Sequence, residues 1–315
     1  MHPDKTHILV TGGAGFIASA LAEKLAENPS NFVVIVDNFL TGSPEKIPAS
    51  VHNNIRFIRC DVNSYPDLAA VMMSHQFQYV FHYAAVVGVQ RTLDNPVMVL
   101  NDLNGFKNIL ELSKNTGVKR VLFASSSEVY GEPVELPQNE ETTPLNSRLP
   151  YAIVKNAGEA YLKSYEKEYG LEYTIFRFFN TYGAKQSKDF VISRFIASAL
   201  RGEDIIVNGD GRQTRTFCYI DDNIEACLNA FYRNEFVNDV VNIGSNKEIT
   251  IRELADIVIA ATHSTSKVVL GPSLSEGDMT RRMPDTRKMA KLLNREPISL
   301  EEGLHKIIAD SKHIL

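Results

Sequence analysis

Tyr151 and Lys155 stand four residues apart, twenty-five residues after Ser126, in a chain that also carries the turn Thr11-Gly12-Gly13-Ala14-Gly15-Phe16-Ile17-Ala18. On a helix that spacing puts the phenol and the ammonium on one face. A lysine charge beside a phenol favours the phenolate, so Tyr151 can act as general base toward a hydroxyl while hydride leaves the same carbon. Ser126, closing a strand, can hydrogen-bond the same substrate oxygen. A tyrosine and a lysine at this spacing are usually ordinary surface residues. Their occurrence together with the glycine turn gives them a chemical reading.

The turn supplies the hydride acceptor. Gly13-x-Gly15-x-x-Ala18 fits the dinucleotide fingerprint, with Gly12 as a further glycine on the strand side. The glycines allow close approach of a pyrophosphate, and the amides from Gly15 through Phe16 and Ile17 open a helix whose positive end faces it. Asp37 closes the second strand roughly twenty residues on, where an acid accepts ribose hydroxyls and repels a 2′-phosphate. The cofactor expected is therefore NAD rather than NADP; the competing reading of Asp37 is a turn residue before Asn38. Asp61 and Val62 end the third strand, where Asp61 either accepts the adenine amino group or simply caps the strand.

Elements that would hold these residues are legible as an alternation of short β-branched runs with longer helical patterns. Strands are expected at 8–10, 32–36, 55–59, 79–82, 121–125 and 173–177. Helices are expected at 16–27, 66–75, 97–116 and 152–169. This is an α/β chain with a doubly wound parallel sheet, a Rossmann-type dinucleotide domain. It is expected over residues 1–180, with a return of later segments at about 215–243. Beyond Asn180 the rhythm changes to loops punctuated by Arg and Gly, with helices near 189–201, 221–233 and 250–261. Residues 181–315 are read as a smaller mixed lobe that binds substrate.

Composition removes other classes. A formal charge of −5 leaves no basic stripe for nucleic acid. There is no apolar run of membrane-spanning length, and Met1-His2-Pro3-Asp4-Lys5 enters the first strand without a signal-like stretch, so a cytoplasmic location and no membrane partner are expected. Cys60, Cys218 and Cys227 lack metal-ligand spacing and are read as buried, reduced thiols; no metal is expected. In so acidic a chain, a local gathering of basic residues argues for a bound anion: Arg212 and Arg215 follow a Gly-Asp-Gly turn close to Phe217 and Tyr219, which would add a flat surface near a nucleotide, and Arg194 and Lys188 could add charge.

Further motifs bind these readings together: His82-Tyr83-Ala84-Ala85, Ser125-Ser126-Ser127-Glu128-Val129-Tyr130-Gly131, Asn180-Thr181-Tyr182-Gly183, Gly209-Asp210-Gly211-Arg212-Gln213-Thr214-Arg215 and Asn242-Ile243-Gly244. Over nearly its whole length the chain resembles the extended short-chain dehydrogenases/reductases, specifically the nucleotide-sugar epimerases, dehydratases and decarboxylases. Two departures are small: Ala18 replaces the usual third glycine, and Ala152-Ile153-Val154 follow the tyrosine. The resemblance implies firmly held NAD, with Ala84 among its contacts, a nucleoside-diphosphate sugar as substrate and transient oxidation at sugar C4. It implies that Asn180 contacts the diphosphate, with Arg215, Arg194 and Arg148 as further substrate contacts. It also implies a homodimer through the helices at 97–116 and 152–169, whose apolar residues would otherwise pack only on the sheet.

The ketone at C4 opens three routes. Returned hydride on the other face gives epimerisation, which needs no further acid or base. Loss of water and loss of a C5 carboxylate each need one near C5. Ser127-Glu128 resembles the dehydratases and UDP-glucuronate decarboxylases, although Glu128 can also be a solvated turn carboxylate. Arg148 and Arg282 match decarboxylase arginines; Arg282 either acts as an acid or charge stabiliser or clamps the diphosphate with Arg215. Ala84-Ala85-Val86-Val87-Gly88 looks more like the epimerases. The order expected is decarboxylation marginally ahead of 4-epimerisation, with 4,6-dehydration third. An NAD-sensing regulator on the same fold would not need the Tyr151/Lys155 pair.

Overall fold

The computed structural model describes residues 4–49, 53–272 and 281–310; Met1-His2-Pro3 of the expected entry into the first strand lie outside them. In chain order the elements are β1 (Thr6–Thr11), α1 (Phe16–Ala26), β2 (Asn31–Asp37), β3 (Ile55–Arg59), α2 (Tyr65–His75), β4 (Tyr79–His82), α3 (Val89–Asp94), α4 (Pro96–Leu100), α5 (Asp102–Thr116), β5 (Arg120–Ser126), α6 (Pro150–Tyr169) and β6 (Glu172–Phe178). They continue with β7 (Thr181–Tyr182), α7 (Val191–Leu200), β8 (Ile205–Asn208), β9 (Thr214–Thr216), β10 (Cys218–Tyr219), α8 (Ile220–Tyr232), β11 (Asp239–Ile243), β12 (Glu248–Thr250), α9 (Ile251–Thr262), β13 (Val268–Gly271), α10 (Arg287–Leu293) and α11 (Leu300–Ala309).

The central sheet has seven strands in the order β11-β6-β5-β4-β1-β2-β3. Pairing is parallel from β3 through β2, β1 and β4 to β5. The order reverses between β1 and β4, the switch point at which doubly wound sheets bind ligands. Residues of β1, β2 and β5 are buried at almost every position, as a parallel sheet covered on both faces requires. One core cluster joins Leu9, Val34, Val121, Phe123 and Ile175 of the sheet to Phe106, Ile109, Val154 and Leu162 of the helices. Each such side chain contributes about 1.5–3 kcal/mol when fully buried.

Two compact units result. One comprises Met1–Val129, Arg148–Arg177 and Cys227–Val241, the other Tyr130–Ser147, Phe178–Ala226 and Asn242–Leu315. The later chain thus returns to the first unit with part of α8 and β11. The segment from Tyr130 to Ser147, which the sequence reading leaves with the dinucleotide domain, groups with the second unit. Its backbone is held there: Gln138 N–H donates to Met283 C=O at 2.8 Å, and Asp285 N–H donates to Gln138 C=O at 2.8 Å. Within that unit the small sheets pair β7 with β10, β8 with β13 and β9 with β12.

Three local expectations change. The helix at 97–116 is divided into α4 and α5 at Asn101, where the Asn104 amide closes a tight turn on the Asn101 carbonyl at 3.0 Å. β6 stops at Phe178, so Asn180 does not end a strand; it turns the chain with φ of 29°, a positive value that Asn tolerates better than most side chains. β3 stops at Arg59, and Asp61 follows it in a turn, accepting the Asn63 amide at 2.9 Å. The three cysteines are buried and none is joined in a disulfide among the described residues.

Candidate active site

β1 ends at Thr11 and the chain turns on Gly12, whose φ of +73° a side chain would strain. Gly12 and Gly13 both donate to the Val36 carbonyl, at 2.8 and 3.1 Å, and Gly15 N–H closes on Gly12 C=O at 2.8 Å. A Cβ on Gly12 would lie 2.9 Å from the backbone of Ala84, so the two loops approach too closely for any other residue. Gly15 caps α1 without a side chain, which leaves the first helical amides, at Phe16 and Ile17, and the positive helix end to a phosphate.

Asp37 is buried at the end of β2. Its Oδ2 accepts the Ala14 amide at 3.0 Å and its Oδ1 the Phe39 amide at 2.7 Å. A carboxylate has about four acceptor sites, so both oxygens keep capacity for ribose hydroxyls. Asp37, Asn38, Asp61, Val62, Ala84 and Gly12 line one cleft of the first unit. Among the further lining residues that the sequence reading did not assign to the site are Asn63 and Asp102. Asp102 accepts the Val86 amide at 2.8 Å; burial raises its carboxyl above the ordinary range, opposed by that hydrogen bond and by the charge of Lys155. Nothing in its spacing marked it, because an acid at a helix start is the commonest capping pattern.

The Thr11 hydroxyl fixes the neighbouring strand end. It accepts the Tyr83 and Ala84 amides at 3.0 Å each and lies 2.9 Å from His82 Nδ1. With both lone pairs engaged, its hydrogen points to Nδ1, which requires an imidazole without a proton there. Burial and the Lys155 charge agree, pushing the His82 pKa down to about 3.

The candidate reacting residues sit on β5, at the start of the 3₁₀ turn Ser127–Tyr130 and on α6. Pro150 opens α6 with its φ already helical, and Gly170 closes it in the left-handed region. Tyr151 therefore lies in the first turn and Lys155 one turn on. Lys155 is 2 % exposed; its Nζ donates to Ala124 C=O at 2.7 Å and lies 5.6 Å from the centre of the Tyr151 ring. Burial lowers its pKa to about 8, against the pull of Asp102. Ser126 is buried, and its Oγ accepts the Glu128 amide at 3.2 Å. Ser127 is buried and Glu128 half-buried; Arg148 is exposed ahead of α6.

The second unit carries the remaining candidates. Asn180 Nδ2 donates to Thr216 C=O at 3.0 Å, which brings it beside Arg215, itself buried with Nη1 on Thr214 C=O at 2.7 Å. Arg282 is buried, while its neighbour Arg281 pairs with Glu248. Arg194 is exposed on α7. Arg212, read beside Arg215, has 89 % of its side chain exposed, and the flat rings of Phe217 and Tyr219 pack edge-on against Tyr182. No group of acidic, His or Cys side chains suited to a metal occurs among the described residues.

A switch-point cleft closed by a glycine turn, beside a buried lysine and a tyrosine on the helix that grips β5, defines a dinucleotide-dependent enzyme of the short-chain dehydrogenase/reductase type. The chain belongs to the NAD-dependent epimerase/dehydratase family, whose model matches residues 8–244. NAD is accordingly the cofactor that the cleft fits. Among curated proteins, a UDP-N-acetyl-alpha-D-glucosaminuronate decarboxylase from Bacillus cytotoxicus is 39 % identical, over 96 % of this chain and 97 % of its own. UDP-glucuronic acid decarboxylase 3 from Arabidopsis thaliana is 36 % identical over 94 % and 86 %. Among solved structures, a UDP-glucose 4-epimerase from Thermotoga maritima with UDP-glucose superposes with a TM-score of 0.90 at 34 % identity, covering 96 % of this chain and 98 % of that one. No helix among the described residues is long and apolar enough to cross a membrane.

Proposed function

We propose that the protein modifies a nucleoside-diphosphate sugar through a 4-keto intermediate and that its net reaction is decarboxylation of a UDP-hexuronate such as UDP-glucuronate. The observation that carries the choice is Glu128, half-buried on the turn directly after Ser126, with its amide bonded to the Ser126 hydroxyl at 3.2 Å. Epimerisation has no use for a carboxylate at that position. The Bacillus and Arabidopsis relatives, both decarboxylases, support the same reading.

In this reading Gly12 and Gly15 let the pyrophosphate of NAD approach the turn, where the amides of Phe16 and Ile17 hold it, while Asp37 and Asn38 hold a ribose, and Asp61, Val62 and Ala84 the adenosine side of the cleft. Bound there, NAD would supply the hydride acceptor for sugar C4 and the donor for its return. Tyr151 removes the proton of the C4 hydroxyl, Ser126 hydrogen-bonds that oxygen, and Lys155 keeps the phenol ionised. The C4 ketone then receives the electron pair released as the C5 carboxylate departs as carbon dioxide. The resulting enolate takes a proton at C5, with Glu128 and Ser127 holding the acid or its water in place. Tyr151 returns its proton to the reduced oxygen. The groups read as candidates for the substrate's negative charge are Arg148 on the first unit and Asn180, Arg194, Arg215 and Arg282 on the second.

A 4-epimerase is the second reading, favoured by the likeness to the Thermotoga structure. Product mass and proton NMR after incubation with UDP-glucuronate, UDP-glucose, UDP-N-acetylglucosamine and dTDP-glucose, with and without added NAD, separate the two. Loss of carbon dioxide from UDP-glucuronate supports decarboxylation; unchanged mass with inversion at C4 overturns it in favour of epimerisation, and loss of water points to a dehydratase.

The protein is also read as a homodimer through α4, α5 and α6, where Val97 and Leu100 of α4 and Ile153 of α6 leave apolar side chains exposed.

A further inference from the structure

Lys155 is followed by another residue at the same spacing, Glu159, so that Tyr151, Lys155 and Glu159 share one face of α6. Glu159 is only 1 % exposed and Arg177 on β6 only 2 %. They form a two-pronged pair, Nε to Oε1 at 2.9 Å and Nη2 to Oε2 at 2.7 Å. Oε1 also accepts the Ser125 hydroxyl at 2.6 Å. Three successive residues of β5 are thereby accounted for: Ala124 takes the Lys155 ammonium, Ser125 reaches Glu159, and Ser126 is the proposed substrate contact.

A buried ion pair is seldom more stable than apolar residues of equal volume, and its best-attested use is to fix register. Here the register is that of α6 against β5. Two grips one helical turn apart prevent α6 from sliding or rotating. Gly158 presses the same helix onto α5, because a Cβ there would lie 2.4 Å from the Phe106 ring. Tyr151 is the next turn along, and it reaches its place only through this anchorage.

We propose that Arg177, Glu159 and Ser125 form a buried positioning relay that sets the Tyr151 phenol against Ser126 for proton transfer. The inference rests on Tyr151 and Lys155 being the reacting pair of the proposed function. None of the three residues needs to touch substrate. Their sequence signal is the third member of the four-residue series and an arginine on the following strand.

The test uses the full chain with NAD, assayed on UDP-glucuronate and UDP-glucose. Ser125→Ala removes only the hydroxyl, and Glu159→Gln keeps the shape while removing the charge. Each should lower kcat about tenfold or more, since misplacement of a reacting group by a fraction of an ångström is that costly, while KM stays within about twofold. Ser125→Thr, which keeps the hydroxyl, should recover most of the loss. A purely structural network predicts the opposite split, a lower Tm with kcat of the folded enzyme unchanged, and that result overturns the relay. Tyr151→Phe separates the two levels. If it retains full turnover, the reading of the reacting pair fails; if it is inactive while Ser125→Ala and Glu159→Gln keep wild-type kcat, the relay alone fails.

Discussion

Asp37 reaches across the glycine turn to Ala14, Oδ2 to amide nitrogen, at 3.0 Å. One side chain thereby shapes the phosphate loop and lines the cleft in which a ribose is expected. Asp37→Ser should weaken NAD binding about tenfold to a hundredfold, the worth of one hydrogen bond to a charged group, and should narrow the preference for NAD over NADP. Isothermal titration with each cofactor reads both effects. Unaltered affinity and preference would remove Asp37 from cofactor selection.

Lys155 supplies a pH dependence. Its pKa is lowered to about 8 by burial, so the cation is present below that pH and lost above it. If the cation sustains the Tyr151 phenolate, kcat/KM should fall above about pH 8 by roughly tenfold per pH unit. Stability moves the other way. Between about 8 and the ordinary lysine value of 10.5 the unfolded chain binds more protons, so the contribution of Lys155 to stability rises with pH. A profile of kcat/KM that stays flat to pH 10 would deny Lys155 this role.

The parts of the fold that were legible were those written in local periodicity. The six early strands and the helices after the glycine turn and at Tyr151 follow from alternation, capping glycine and Pro150. Less legible was what depends on distant partners. The break at Asn101 reflects a local tightening that no Pro or Gly signals, and the grouping of Gln138 with Met283 and Asp285 joins segments some 145 residues apart in the chain. At the candidate site, Tyr151, Lys155 and Ser126 are the residues that type and spacing single out. Asp102 and His82 are not among them, since their role comes from burial and from which amides they meet.

His82 predicts acid sensitivity. Its pKa falls from 6.5 to about 3, because burial and the Lys155 charge oppose protonation. A depressed pKa contributes stability that is present above the unfolded value and lost as pH falls toward the folded one, here between about 6.5 and 3. The full loss is on the order of 5 kcal/mol. Thermal melts from pH 7 to pH 4 should show this decline, and His82→Phe should flatten its slope, although it also gives up the bond to Thr11. An equal slope in the variant would assign the acid lability to other groups.

The exposed apolar side chains of α4 and α6 give the dimer reading its test. Light scattering on the purified chain should give twice the mass of 35.2 kDa. Ile153→Asp, placing a charge where 44 % of a large apolar residue is exposed, should shift the protein toward monomer without unfolding it. A monomeric wild type at micromolar concentration would leave that surface without this explanation.

In the proposed function Glu128 separates the reactions that a shared ketone permits. Oxidation at C4 calls on Tyr151, Lys155 and Ser126 alone, so it should persist in Glu128→Gln as transient absorbance of reduced cofactor at 340 nm. Removal of a C5 carboxylate leaves an enolate that must be protonated, and loss of a group that positions the acid typically costs about 10²–10⁴ in rate. On UDP-glucuronate the variant should therefore release a first equivalent of carbon dioxide and then stall with the cofactor reduced, its steady-state release falling about a hundredfold. An epimerase makes no carbanion at C5, and its turnover of UDP-glucose would change by no more than about threefold, the scale of a lost peripheral hydrogen bond. Wild-type release of carbon dioxide by Glu128→Gln would reduce the residue to a turn carboxylate and move the search for the C5 acid to Arg282 or Ser127.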